Sequence, residues 1–386
     1  MPFHYLKRNF ISPVLEFIHD SRAIGITILI CTTLSLIITN SPLGNHFLSA
    51  INTEIHFSDT LPHSLLHWIN DGLMTLFFLL AGMEIKRELL HGELSTVKKA
   101  MLPVMGALGG MLVPAGIFFL FNQQSDFSAG WGIPMATDIA FSLGVASLLG
   151  KKVPLSLKIF LTALAIIDDL GAIIAIAVFY TQTLKIKFLV GALVLFFIMI
   201  LWIKWKKPFG WWNIIAGLVL WMLVYNSGIH ATIAGVLFAF TIPMNKLLVW
   251  ENKLHHPVNF IIIPLFVIVN TAIIIPSTFI ADLGSTLSVG VILGLLVGKP
   301  LGIYLFCRIS MLLKWGTLSQ EISKKHLVGL GILASIGFTM SIFISLLAFE
   351  QTSFQVISKS AIMMASAVAI MLSFLWFRWI IKDHVS

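Results

Sequence analysis

The chain has 386 residues, 58% of them hydrophobic and only 11% charged, with a mean hydropathy of +0.96 and a formal net charge of +8. This excludes a soluble globular protein and defines a polytopic membrane protein whose core is a helix bundle in lipid. The basic residues are scattered over many short loops, which argues against nucleic-acid binding, and Cys31 and Cys307 both lie in apolar stretches, so no disulfide framework is implied.

Lys7 and Arg8 precede the first apolar stretch, and no small-residue cleavage site follows it, so it reads as a retained helix rather than a removed signal peptide. In chain order the sequence offers twelve transmembrane helices, at about 23–40, 65–84, 100–121, 131–150, 155–180, 187–203, 210–226, 229–244, 257–279, 286–307, 326–349 and 356–380. After the first, Gly44-Asn45-His46 and a partly alternating run over 52–58 suit a small external hairpin. With the N-terminus in the cytoplasm, only Lys185, Lys187 and Lys359 of the 25 Lys and Arg residues fall at outward ends. Inward loops carry pairs such as Lys98-Lys99, Lys151-Lys152, Lys206-Lys207 and Lys324-Lys325. That asymmetry predicts an even number of spans, both termini cytoplasmic, and a single transmembrane domain over 1–386.

Within the spans a few charged residues stand out. Asp71 lies in the first turns of the second. Asp138 occurs in the short fourth span, in Pro134-Met135-Ala136-Thr137-Asp138, with Ser142 and Gly144 close behind. Pro, Thr, Ser and Gly beside an acid suit an interrupted helix whose freed backbone groups line a cavity; the competing reading is an ordinary Pro-kinked helix. Asp168 and Asp169 sit together inside an apolar stretch, 161–180, that has no other charge. Each ionised Asp there would cost roughly 2.5–3.5 kcal/mol, so the pair needs a reason to exist, and the usual one is proton or cation binding. Successive helix residues point about 100° apart, so the two cannot both face one partner.

Lys299 is the only basic residue deep in a span, beside glycines at every fourth position, Gly290, Gly294, Gly298 and Gly302, which form one smooth face for a close neighbour. It either faces the interior and pairs with an Asp or snorkels to the interface. A second interrupted segment carries Gly329, Gly331, Ser335, Gly337, Thr339 and Ser341. Two interrupted helices in corresponding places point to inverted repeats with the site between them. Asp138 would balance the positive helix ends there and Lys299 the negative ones.

No phosphate loop, metal-ligand Cys/His pattern or nucleophile elbow occurs. The segments Ala136-Thr137-Asp138-Ile139-Ala140-Phe141, Ala165-Ile166-Ile167-Asp168-Asp169-Leu170-Gly171-Ala172-Ile173, Gly298-Lys299-Pro300-Leu301-Gly302-Ile303 and Gly337-Phe338-Thr339-Met340-Ser341-Ile342 resemble, in this order, the NhaA family of bacterial sodium/proton antiporters. That family is itself a standard example of inverted repeats with broken helices. The resemblance implies Asp169 as the main cation-binding carboxylate, Asp168 as the partner of Lys299, and Asp138 with Thr137 at the helix crossing. Asp169 and Asp138 would hold the transported Na+. Glu84, Arg87, Glu88, His230 and His256 match positions the family associates with pH response.

The chain departs from the family at Glu251-Asn252-Lys253-Leu254-His255-His256-Pro257, where familiar members carry a His directly after the Glu. The expected function is exchange of cytoplasmic Na+ or Li+ for external H+ across the bacterial inner membrane. It serves sodium and pH homeostasis, depends on pH and needs neither enzyme activity nor cofactor. The resemblance also implies a homodimer through the external hairpin, with membrane lipid around it. An intramembrane aspartyl protease also needs two Asp residues in spans, but the usual Gly-x-Gly-Asp segment is missing; a passive cation channel is the third class.

Overall fold

The computed structural model describes residues 21–380 apart from 56–60, 93, 182, 206 and 320. Lys7, Arg8, Lys206 and both chain ends therefore lie outside the described residues. Among the described residues the regular structure is helical, and strand pairing is limited to one antiparallel bridge, Glu54 to Ser64. Two backbone bonds flank it, Ile55 N–H to His63 carbonyl (2.8 Å) and Leu65 N–H to Thr53 carbonyl (3.1 Å). This is where the small hairpin was expected; its tip lies outside the described residues.

Among the described residues, nine helices are long and apolar enough to cross a membrane, or ten if one bent pair counts as a span. In chain order the helices are α1 (Ser21–Thr39), α2 (Gly44–Ile51), α3 (Leu65–His91), α4 (Val97–Asn122), α5 (Ile139–Leu148), α6 (Leu155–Phe179) and α7 (Ile186–Lys204). They continue with α8 (Trp211–Ser227), α9 (Ile233–Thr241), α10 (Met244–Asn270), α11 (Thr286–Leu312), α12 (Lys324–Ala334), α13 (Phe338–Ala348) and α14 (Thr352–Trp379). The bent pair is α12 and α13, at 48°.

One of the expected spans comes out short: α8 has the 17 residues expected of it, but α9 has only nine. At 1.5 Å per residue α9 covers only about 14 Å of a hydrocarbon core near 30 Å. It stops because Pro243 cannot continue a helix and forces Ile242 to extended backbone, with ψ at 126°.

The glycine ladder of α11 faces α4. A Cβ at Gly302 would lie 2.0 Å from the Gly109 carbonyl oxygen, and one at Gly298 would lie 2.8 Å from the Pro114 Cα. The two backbones therefore touch where side chains would hold them apart, which carries Lys299 into the protein interior. π-helical turns interrupt α3 at Trp68–Leu73, α10 at Val258–Ile262 and α11 at Gly294–Gly298. Each lies within or beside a segment bearing a charged or titratable side chain: Asp71, the His255-His256 pair and Lys299. Such turns often mark functional sites.

Candidate functional site

Two broken helices cross at the centre. The first is a 3-10 helix, Ser128–Met135, followed by extended residues (Ala136 ψ 147°, Asp138 ψ 98°) and then α5. Pro134 and the cap-forming Thr137 and Asp138 favour a stop and restart here. The second break, Ser335-Ile336-Gly337, separates α12 from α13. Each break ties off the other's orphan backbone groups. The Asp138 N–H donates to the Ile336 carbonyl (2.8 Å), Ser142 Oγ to the Leu333 carbonyl (2.8 Å), and Ser341 Oγ to the Ile133 carbonyl (2.8 Å). Gly337 has no room for a side chain, since its Cβ would lie 2.3 Å from Ser341 Oγ.

Asp138, 2% exposed, caps both half-helices at once. Its Oδ1 accepts the Phe141 N–H of α5 (2.9 Å), and its Oδ2 accepts the N–H (3.0 Å) and hydroxyl (2.5 Å) of Thr339 on α13. One carboxylate so meets two positive helix ends. Lys299, 0% exposed, does the converse. Its Nζ donates to the carbonyl of Met135 at the end of the 3-10 helix (2.6 Å) and stands 3.4 Å from Asp168 Oδ2. Thr137 Oγ1 also donates to Asp168 Oδ2, at 2.6 Å. Lys299 therefore does not snorkel.

Asp169 points elsewhere. It is 3% exposed, and its Oδ1, like Asp168 Oδ1, has no hydrogen-bond donor among the described residues. A buried carboxylate oxygen with no partner is expensive, and a bound cation or proton would relieve that cost. Asp169 lines a cavity of about 340 Å³ together with Glu84, Arg87, Asp138, Asn259 and Thr339. A second cavity, about 840 Å³, opens toward the other end of α3 and holds Asp71, Tyr180, Tyr225 and His230. Between the two, Phe343 packs on Phe78 (5.3 Å between ring centres) and on His230 (5.1 Å). The acidic site reaches the Arg87 cavity, and aromatic rings separate it from the His230 cavity.

The five residues matched to pH response do not form one cluster. Glu84, Arg87 and Glu88 lie together at one end, where Arg87 bridges Glu88 (3.1 Å) and the buried Glu251. His256 stacks near Phe260, whereas its neighbour His255 lines the cavity and meets Asn259 at 3.2 Å. His230 is in the other cavity, paired with Asp71 at 3.1 Å. Thr339, Asn259, His255 and Glu251 were not singled out as site residues from the sequence. The i, i+4 spacing of His255 and Asn259 on one helix face was the available signal for that pair.

The broken-helix crossing, the lysine-neutralised Asp168 and the free Asp169 on a one-sided cavity define a secondary transporter of small cations. The chain matches the Na+/H+ antiporter 1 family over residues 15–377 and belongs to it, so its function is Na+/H+ exchange. It is 45% identical to the Na(+)/H(+) antiporter NhaA of Cytophaga hutchinsonii, covering 96% of each chain. It is 47% identical to the Na(+)/H(+) antiporter NhaA 2 of Flavobacterium johnsoniae, over 92% of this chain and 89% of the relative. It is 45% identical to the Na(+)/H(+) antiporter NhaA of Dechloromonas aromatica, over 94% of each. These relatives are named as transporters, not enzymes.

Proposed function

We propose that Na+ and H+ exchange by competing for Asp169. The observation that supports this reading is that Asp169, whose Oδ1 is buried and donor-free, lines a cavity with Asp138 and Thr339. Na+ is a hard cation suited to carboxylate, hydroxyl and carbonyl oxygens, and Li+ shares that preference. Asp138 completes the ion's oxygen shell across the cavity, and Asp168 holds Lys299 and the crossing in place. A carboxylate that carries either a cation or a proton, exposed first to one side and then to the other, couples the two flows without ATP or a cofactor.

The Arg87 cavity is the cytoplasmic entrance, because it opens at the end of α3 bearing Lys86 and Arg87, and the positive-inside rule places such ends inward. The His230 cavity then faces outward. In this reading Na+ or Li+ leaves the cytoplasm as external H+ enters, across the bacterial inner membrane, with both termini cytoplasmic. Counting α8 and the short α9 as crossings gives twelve, with the two broken helices related as inverted repeats. Glu84, Arg87, Glu88 and His256 set the inward pH response and His230 the outward one, and the hairpin around 54–64 joins two copies as a homodimer. The deciding experiment is sodium-driven proton movement in sealed vesicles, with potassium as control. Asp169→Asn should abolish it in a well-folded protein, and near-normal exchange by that variant would remove Asp169 from the mechanism.

A further inference from the structure

The 3-10 helix Ser128–Met135 must hold its position relative to α6, because its Met135 carbonyl anchors Lys299, and Lys299 faces Asp168 on α6. A second tie joins the same two elements just past the end of α6. The Tyr180 hydroxyl donates to the Ala129 carbonyl (2.8 Å) and accepts the Gly132 N–H (3.1 Å). In a 3-10 turn those two backbone groups are each other's partners, an N–H and the carbonyl three residues before it. The hydroxyl is therefore spliced into the turn. Trp131, inside that turn, stacks on Tyr180 (6.2 Å, 20° between planes) and meets Phe179 edge-on (5.1 Å, 88°). Gly132 leaves the space this needs: a Cβ there would lie 2.6 Å from the Tyr180 hydroxyl oxygen but 3.3 Å from the nearest ring carbons.

We propose that Tyr180 is a positioning residue whose hydroxyl binds the outer half of the first broken helix to the helix carrying Asp168 and Asp169, so that the two move as one body during exchange. The proposal rests on the alternating exposure of Asp169 argued above. A phenol stays protonated at neutral pH and is both donor and acceptor, which both bonds require. The tie lies at the outer cavity, and Asp169 lines the inner one. Loosening it leaves the ion's immediate ligands in place while the outer half-helix lags behind α6. Turnover then falls and sodium affinity does not.

The test uses the full chain in sealed vesicles at one pH, with initial rates of sodium-driven proton movement measured against sodium concentration. Tyr180→Phe should lower the maximal rate about five- to tenfold, the rate equivalent of its two lost hydrogen bonds at the low end of their usual net worth, with the half-saturating sodium concentration unchanged. Gly132→Ala should lower it at least as far, because the methyl group displaces the hydroxyl. In the double variant the 2.6 Å clash is gone and the methyl meets only ring carbons at 3.3 Å, which a shift of a few tenths of an ångström relieves, so adding Tyr180→Phe should raise the rate of Gly132→Ala. An unchanged maximal rate for Tyr180→Phe, even with a lower melting temperature, would overturn the proposal. So would a raised half-saturating sodium concentration, or a double variant slower than Gly132→Ala. Failure of the competition reading shows elsewhere, as a sodium affinity independent of pH in the unsubstituted protein.

Discussion

Lys299→Ala removes three things at once. The Met135 carbonyl loses its donor at 2.6 Å, Asp168 loses the charge 3.4 Å away, and a fully buried side chain leaves an unfilled space against α4. Thr137 remains on Asp168, but a neutral hydroxyl does not replace an ammonium group. Removing one partner of a buried ion pair costs on the order of 3–5 kcal/mol. The cost should depend on pH, because a proton bound by Asp168 in the variant relieves the unpaired charge. The gap in melting temperature between native and variant protein should therefore widen as pH rises. Asp168→Asn added to Lys299→Ala should recover much of the loss, since the amide is uncharged and still accepts from Thr137, and coupling of this size marks a direct contact. The assay is thermal unfolding in detergent from about pH 6 to 9. A single variant as stable as the native protein, or a double variant no better than the single, would refute the pairing.

Competition for Asp169 requires the half-saturating sodium concentration to rise as pH falls, by about tenfold per unit for each proton displaced in the steep region. The maximal rate should change much less; a fall in maximal rate at constant affinity would instead assign pH control to Glu84, Arg87 or His256. Deleting 51–57 should weaken a homodimer, read by mass in detergent, yet spare exchange, because each chain carries its own acids. A dimer that survives the deletion would remove the hairpin from the interface.

Charges inside apolar runs are conspicuous, which is why Asp138, Asp168, Asp169 and Lys299 were all legible in the sequence. The breaks at 136–138 and 335–337 were legible for a related reason: Pro, Gly, Ser and Thr cluster there in otherwise aliphatic stretches. What the sequence hid depends on rotation and on distance along the chain. His255 and His256 are adjacent, about 100° apart on α10, and which one meets the cavity depends on how the helix turns as it enters the π turn Val258–Ile262. A π turn leaves no mark in composition. Glu251 as the partner of Arg87 and Thr339 as a donor to Asp138 join residues more than a hundred positions apart, and one sequence carries no signal for such pairs. The shortness of α9 was half visible in Pro243, but the apolar run before it fits a complete span equally well.

The adjacent carboxylates offer a last test, because their surroundings differ in sign. Asp168 faces a lysine that is 0% exposed, so Asp168→Asn leaves that ammonium group buried without its counter-charge. The protein should lose stability, by up to about 3–5 kcal/mol. Asp169 makes no ion pair among the described residues, and its Oδ1 has no donor, so Asp169→Asn removes a buried charge that no contact pairs. In sodium-free detergent at high pH, where Asp169 has neither ion nor proton, that change should leave stability equal or raise it. The same substitution at neighbouring positions should then lower the melting temperature at 168 and not at 169. Sodium should narrow the gap, because it stabilises only a chain that still carries the Asp169 carboxylate. Two variants that melt together below the native protein, with and without sodium, would mean that both carboxylates are held by the fold and that neither is left for the ions.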